Sequence, residues 1–227
     1  MQVLPSAYFP SLAYVHALLQ DPHIVLDYKE HFVKQSMRTR AEILSANGII
    51  ALNVPILHAA HKQTVAEVRI DYSKNWQAEH WRAIESAYAN APHFEHYAHD
   101  LRLLFEQRPV YLHELNESIV HWVDKALDLQ LQLELSFEYT GKTPTEKKAS
   151  LGRLLKPTLA YQQVFKGKAE FVQNLSVIDG LMNEGPLLRR HFVQGRLVDQ
   201  VRAATALGGV SDRSHRQSQN NSPEEPL

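Results

Sequence analysis

The chain has 227 residues, 44% of them hydrophobic and 22% charged, which is ample for one filled core and far from a disordered composition. Its 24 Lys and Arg nearly cancel its 25 Asp and Glu, so no global field recruits nucleic acid or an anionic membrane, and charge selectivity must be local. Cysteine is absent, which excludes disulfides, thiolate zinc sites and a thiol nucleophile.

Residues 1–20 carry no Lys, Arg, Asp or Glu, yet Pro5, Pro10, His16 and Gln20 interrupt the run and no basic segment precedes it. The expectation is a cytoplasmic protein without membrane insertion. Leu4 to Phe9 reads as a first strand, and Pro10 opens an amphipathic helix carrying Leu12, Val15, Leu18 and Leu19. Asp21-Pro22 stops that helix, and His23 to Leu26 reads as a second strand, so a βα-type unit begins the chain.

Asn47-Gly48 has the composition of a type I′ hairpin turn, in which both residues take positive φ. With those two as the loop, Ala46 pairs with Ile49, Ile43 with Leu52 and Ala41 with Val54. One face then collects Ala41, Ile43, Ser45, Ile50, Leu52 and Val54, with Met37 extending it. Lys34, Ser36, Arg38, Arg40 and Glu42 alternate on the other.

Val65 to Tyr72 alternates as a further strand. Ser73 or Asn75 caps a helix over Trp76 to Ala89, Pro92 starts another bearing Phe94, Tyr97 and Leu101, and a third runs from Leu112 to Asp128. Leu131 to Tyr139 alternates as a strand, Thr140 to Ser150 is a polar loop, and Tyr161 to Phe165 is extended. Phe171 to Asn183 and Pro186 to Leu207 are helical stretches. The fold class is mixed α/β (α+β), with a mixed sheet that includes the Asn47-Gly48 hairpin, several amphipathic helices and a single domain over residues 1–210. Residues 211–227 lack the apolar surface to repay ordering and read as a disordered tail whose deletion leaves stability unchanged.

The polar hairpin face is the leading functional candidate. Lys34, Arg38 and Arg40 repel one another on alternate positions, and Glu42 neutralises only part of that charge. A carboxylate or phosphate resolves the repulsion, and on that reading Arg38→Ala leaves the empty fold as stable as before. The bland alternative is a solvated strand face. His80 shares a helical stripe with Trp76, Ile84 and Tyr88, where it is either a general base at a pocket edge or a satisfied core histidine. Ser176, Asp179 and Asn183 form a second polar stripe, in which Asp179 either handles a proton or fastens helix ends.

His58-x-x-His61 and His93, His96 and His99 invite a metal, but successive i+3 steps drift around a helix and no His-Glu-x-x-His pattern accompanies them. Gly141-Lys142-Thr143 lacks the earlier glycine of a phosphate loop. No metal and no cofactor is expected.

Several phrases together carry a resemblance. Tyr8-Phe9-Pro10, then Lys34-Gln-Ser-Met-Arg38-Thr-Arg40, Asn47-Gly48 and the Leu-x-Val-Pro ending at Pro55 come in order. Ile70-Asp71, Trp76, His80, Ile84, Tyr88 and the Ala-Pro-x-Phe-x-x-Tyr ending at Tyr97 follow. Tyr161-Gln-Gln-Val-Phe165 and Leu175-Ser-Val-Ile-Asp179, closing at Asn183-Glu-Gly185, complete the set. This order resembles the bacterial WbqC-like family over residues 4–185. Thr39 stands where that family usually has asparagine, and Ala41 where many members have cysteine, which argues against a shared cysteine nucleophile.

The resemblance implies a surface-polysaccharide role, with transfer of a glycyl-type amino-acyl or other acyl group onto an amino sugar. It brings no established catalytic set. The candidate catalytic residues are therefore His80 and Asp179, and the candidate substrate-binding residues are Lys34, Ser36, Arg38, Arg40, Tyr8 and Asn183. The expected partner is an anionic small molecule, such as a nucleotide sugar, held at Lys34, Arg38 and Arg40. The rival is a non-catalytic protein that binds a sugar nucleotide or an acidic partner segment. Convergence of Lys34, Arg38, His80 and Asp179 in one cleft favours the enzyme, and scatter favours the rival.

Overall fold

The computed structural model describes residues 2–58, 63–136, 161–164 and 171–194. The Thr140 to Ser150 loop, the far half of the last helical stretch and the tail over 211–227 lie outside them. β1 (Gln2–Leu4), α1 (Leu12–Leu18) and β2 (His23–Asp27) open the chain as a βαβ unit. β3 (Arg40–Ser45) and β4 (Gly48–Asn53) form the hairpin. α2 (Trp76–Tyr88), α3 (Phe94–Glu106), α4 (Leu112–Leu127) and β5 (Gln132–Ser136) follow, and α5 (Val177–Glu184) precedes a helical run over 187–194.

The architecture is the expected mixed α/β one. β2 lies between β1 and β5 and runs parallel to both, with Val3 opposite Val25 and Val25 opposite Glu134. A central parallel strand is covered on both faces, and Ile24, Val25, Leu26 and Asp27 are all buried. The first strand is shorter than its sequence suggests: β1 ends at Leu4, and residues 5–10 leave the sheet. The reason is local. Phe9 takes φ +39, and Tyr8 donates its amide to Met37 O at 2.8 Å rather than to a neighbouring strand.

β3 and β4 pair as a two-stranded antiparallel ladder of their own. Their register differs from the expected one by two residues, because Ser45 faces Gly48, Ile43 faces Ile50 and Ala41 faces Leu52. Gly48 has φ +109 but Asn47 has no positive φ, so the turn is centred on Ala46-Asn47 with Gly48 following as the left-handed residue. The Ser45 hydroxyl reinforces that choice, donating to Gly48 O at 2.8 Å and accepting from the Asn47 amide at 3.2 Å. A shift of two preserves the faces, so Ala41, Ile43 and Leu52 still point into the core.

Val65 to Tyr72 is not a continuous strand. Val65–Glu67 is a 3-10 turn, fixed by Glu67 accepting from the Thr64 amide at 2.9 Å, and only single bridges at Ile70 and Arg69 follow. Residues 171–176 are likewise outside α5, which starts at Val177 behind its cap Ser176.

α4 shows how apolar spacing becomes packing. Leu112, Leu115, Ile119 and Val123 recur on one face and are buried, each stabilising the fold by up to about 3 kcal/mol, and Asp128 at φ +48 ends the helix. α5 is buried on every side from Val177 to Asn183, so it threads the interior. Gly180 permits that: a Cβ there would meet Leu12 and Leu188 at 2.8 Å. Tyr8, Phe9, Tyr14, Tyr28 and Tyr88 are among the largest fully buried side chains.

Candidate functional site

The segment expected to carry three alternating cations is a loop up to Thr39, and the strand begins only at Arg40. Three backbone ties hold the loop in place. Tyr8 donates its amide to Met37 O, Val54 its amide to Thr39 O, and Asn116 its Nδ2 to Arg38 O at 3.0 Å. The strand-face arrangement of Lys34, Ser36, Arg38 and Arg40 is therefore corrected: of the four only Arg40 lies on a strand.

Arg38 is buried at 7% exposure and is committed to Glu30, itself 3% exposed. Its Nε donates to Glu30 Oε1 at 2.9 Å, its Nη2 donates to the same oxygen, and its Nη1 donates to Ser36 Oγ at 3.2 Å. A guanidinium so engaged is a fastener of the loop. Its expected repulsion with Arg40 is absent because Glu30 has neutralised it.

Arg40 is exposed and meets Glu42, with Nη2 to Oε1 at 3.0 Å. It stands at the wall between two adjoining cavities. One, of about 310 Å³, is bounded by Tyr8, Ser11, Ser36, Glu42 and Asn174 among others. The second, of about 430 Å³, is bounded by Lys34, Asn53, Ile56, Leu57 and His58 among others. Arg40 and Gln35 belong to both. Gln35 holds φ +52, an unfavourable conformation for a residue with a side chain, at that shared wall.

Tyr8 links the first cavity to His80. Its hydroxyl lies 2.8 Å from His80 Nδ1, and the His80 ring is buried beside Trp76 at 5.1 Å between centroids. Burial pushes the imidazole pKa down to about 4, opposed by a hydrogen bond to the Asn53 backbone. The donor in the Tyr8–His80 hydrogen bond is set by the imidazole tautomer. Burial also raises the Tyr8 pKa well above the usual phenol range. At neutral pH both groups are uncharged, and His80 orients Tyr8.

Asp179 lies on α5, inside the molecule. Tyr88 donates to its Oδ1 at 2.6 Å, while Tyr161 and Gln163 donate to Oδ2, the latter at 3.1 Å. Burial raises its pKa, and the hydrogen bonds from Tyr161, Tyr88 and Gln163 pull the other way. Tyr88 also accepts the Leu44 amide at 3.1 Å, so the carboxylate ties α5 to α2, β3 and residues 161–163. Asn183 donates its Nδ2 to Asp179 O at 2.7 Å and closes the same helix. Neither Asp179 nor Asn183 lines either cavity.

The structure thus brings Tyr8, Ser36 and Arg40 to one cavity and Lys34 and Arg40 to the other. Arg38, His80, Asp179 and Asn183 line neither. Sequence reasoning missed Glu30, Tyr161, Gln163 and Asn174, which meet their partners only through tertiary folding. Among the described residues no group of three or more His, Asp or Glu is placed to hold a metal, and no helix is long and apolar enough to cross a membrane.

The parallel sheet and the separate hairpin define a mixed α/β domain, with two cavities that share Arg40 and Gln35. The WbqC-like protein family matches residues 5–156, more than half of the chain, and the chain belongs to that family. It is 30% identical over 141 residues to an uncharacterized protein, Rv1507c, of Mycobacterium tuberculosis (strain ATCC 25618 / H37Rv), covering 60% of this chain and 58% of that one. The chain therefore spans less than two thirds of that relative's length. No solved structure matches the chain significantly.

Proposed function

We propose that this chain binds an anionic small molecule at Arg40 and serves as a transferase. It moves an amino-acyl, glycyl-type or other acyl group onto an amino sugar in surface-polysaccharide biosynthesis. The observation that carries the reading is the placement of Arg40 between two adjoining cavities, held among the described residues only by the exposed Glu42. An exposed pair is weak, so a carboxylate or phosphate can take over the guanidinium at little cost.

Two seats side by side suit a reaction that proceeds by positioning. The amine nitrogen attacks the acyl carbon of an activated donor and a C–N bond forms. The bond from that carbon to the leaving oxygen or sulfur breaks, and the electron pair departs with the leaving group. The amine proton passes to a base. Tyr8, oriented by His80, faces the amine as a hydrogen-bonding wall, while Asp179 secures α5 behind it. Lys34 and Ser36 complete the substrate contacts.

The rival reading, a non-catalytic protein that binds a sugar nucleotide or an acidic partner segment, has one observation in its favour. Of Lys34, Arg38, His80 and Asp179 only Lys34 lines either of the two cavities, and His80 is a poor proton store at neutral pH. Either reading requires the anion site. Thermal melting in sulfate or phosphate, against chloride at matched ionic strength, tests it. Wild type gains more stability over chloride than Arg40→Ala does. Because sulfate strengthens apolar burial in any protein, an equal gain in both proteins removes the site.

A further inference from the structure

The two cavities differ in the chemistry they offer. In the narrower one, Ser11 Oγ accepts from the Tyr14 amide at 3.4 Å and keeps its own proton for a ligand. Asn174 spends its Oδ1 on the Ala13 amide at 2.9 Å and keeps its amide hydrogens. Glu42 is the carboxylate of that lining. The start of α5 adds no anion site, because its first amides are used. Val177 donates to Pro10 O at 2.7 Å, Ile178 to Ser176 Oγ at 3.3 Å and Asp179 to Ser176 O at 2.9 Å. Hydroxyl, amide and carboxylate together recognise a hydroxyl-rich molecule that carries an ammonium group.

The wider cavity is cationic, whereas the narrower one balances Arg40 against Glu42. Lys34, Arg40 and His58 line it without a carboxylate, and Phe32, Ile56 and Leu57 give it an apolar side. That combination suits an anionic head group on a less polar body. Arg40 is common to both cavities, and its Nη2 lies 3.0 Å from Glu42 Oε1 with 41% and 46% of the two side chains exposed.

We propose that the two cavities are coupled seats joined by the Arg40–Glu42 pair: an anion in the wider seat draws Arg40 off Glu42, and Glu42 then takes the ammonium of an amine-bearing polyol in the narrower one. This rests on the proposed function, both its anion site at Arg40 and its amino-sugar acceptor, and adds which cavity takes each and the coupling between the two. Linkage makes the effect reciprocal, so each ligand tightens the other by the same factor. An exposed ion pair limits that factor to about fivefold.

Calorimetric titration of the full chain with pyrophosphate and with glucosamine, each alone and with the other at saturation, tests the proposal. Both bind together, and each tightens the other by about two- to fivefold. N-acetylglucosamine, which lacks the ammonium, gives no such tightening. Glu42→Gln abolishes glucosamine binding while pyrophosphate binds at least as tightly, and Lys34→Ala weakens pyrophosphate without altering glucosamine alone. Competition between the two ligands, mutual indifference, or unchanged glucosamine binding in Glu42→Gln overturns the coupled seats. Pyrophosphate binding without glucosamine binding overturns them while leaving Arg40 an anion ligand. Failure of pyrophosphate to bind removes both.

Discussion

Replacing Arg38 with alanine separates a fastened arginine from one that waits for a ligand. The side chain of Arg38 is 9% exposed and that of Glu30 2%, so neither charge is bathed by solvent. Removing the guanidinium deletes both of its bonds to Glu30 and the bond to Ser36, and it takes the cation away from a buried carboxylate. Breaking a buried pair from one side costs about 3–5 kcal/mol, a large part of the stability of an ordinary domain. Urea unfolding at neutral pH, read as the change in midpoint at constant slope, measures the loss. The double variant Glu30→Gln, Arg38→Met removes both charges and loses roughly 2 kcal/mol less than Arg38→Ala alone. A loss below about 1 kcal/mol in Arg38→Ala would place the guanidinium in water and refute the reasoning.

Three further outcomes follow from local geometry. Gly48→Val costs about 1–2 kcal/mol although its Cβ meets nothing within 4 Å, because φ is +109, whereas Asn47→Ala stays within about 0.5 kcal/mol; equal losses in urea melts contradict the turn. Gly185→Ala combines φ +56 with a Cβ only 2.6 Å from the His93 ring, and it destabilises by about 2–4 kcal/mol in the same assay, so a neutral result contradicts that packing. Burial lowers the His80 pKa from 6.5 to about 4, so protonation favours the unfolded chain: its contribution is complete above pH 6.5 and is lost as pH falls through about 4. That loss is on the order of 3 kcal/mol, and urea unfolding at pH 7 and pH 4 shows it in wild type and not in His80→Gln.

The order of elements was legible because helix and strand periods are local. α2, α3 and α4 begin and end within a few residues of their expected bounds, and β2 lies where the Asp21-Pro22 break put it. The hairpin illustrates a different lesson. Its faces were readable because side chains alternate, yet its pairing was displaced by two, since Ser45 bonds select Ala46-Asn47 as the turn.

Alternation misled at Lys34 to Thr39 and again at Val65 to Tyr72. In both places the backbone bonds to distant partners, Tyr8 and Val54 in the first and Glu30, Tyr28 and Val110 in the second. The candidate site divides in the same way. Arg40 and Lys34 face cavities, but nothing local announces that Glu30 would claim Arg38, or that Tyr88, Tyr161 and Gln163 would gather on Asp179. The gathering on Asp179 depends on how α5 threads the core.

The most direct test of the account is the small-molecule content of freshly purified wild-type and Arg40→Ala protein, released by denaturation and read by mass spectrometry. The account predicts a carboxylate- or phosphate-bearing metabolite that accompanies the wild type and is lost from Arg40→Ala, while both proteins melt within about 1 kcal/mol of one another in stability because the Arg40–Glu42 pair is exposed. The same metabolites at the same levels in both proteins would contradict it.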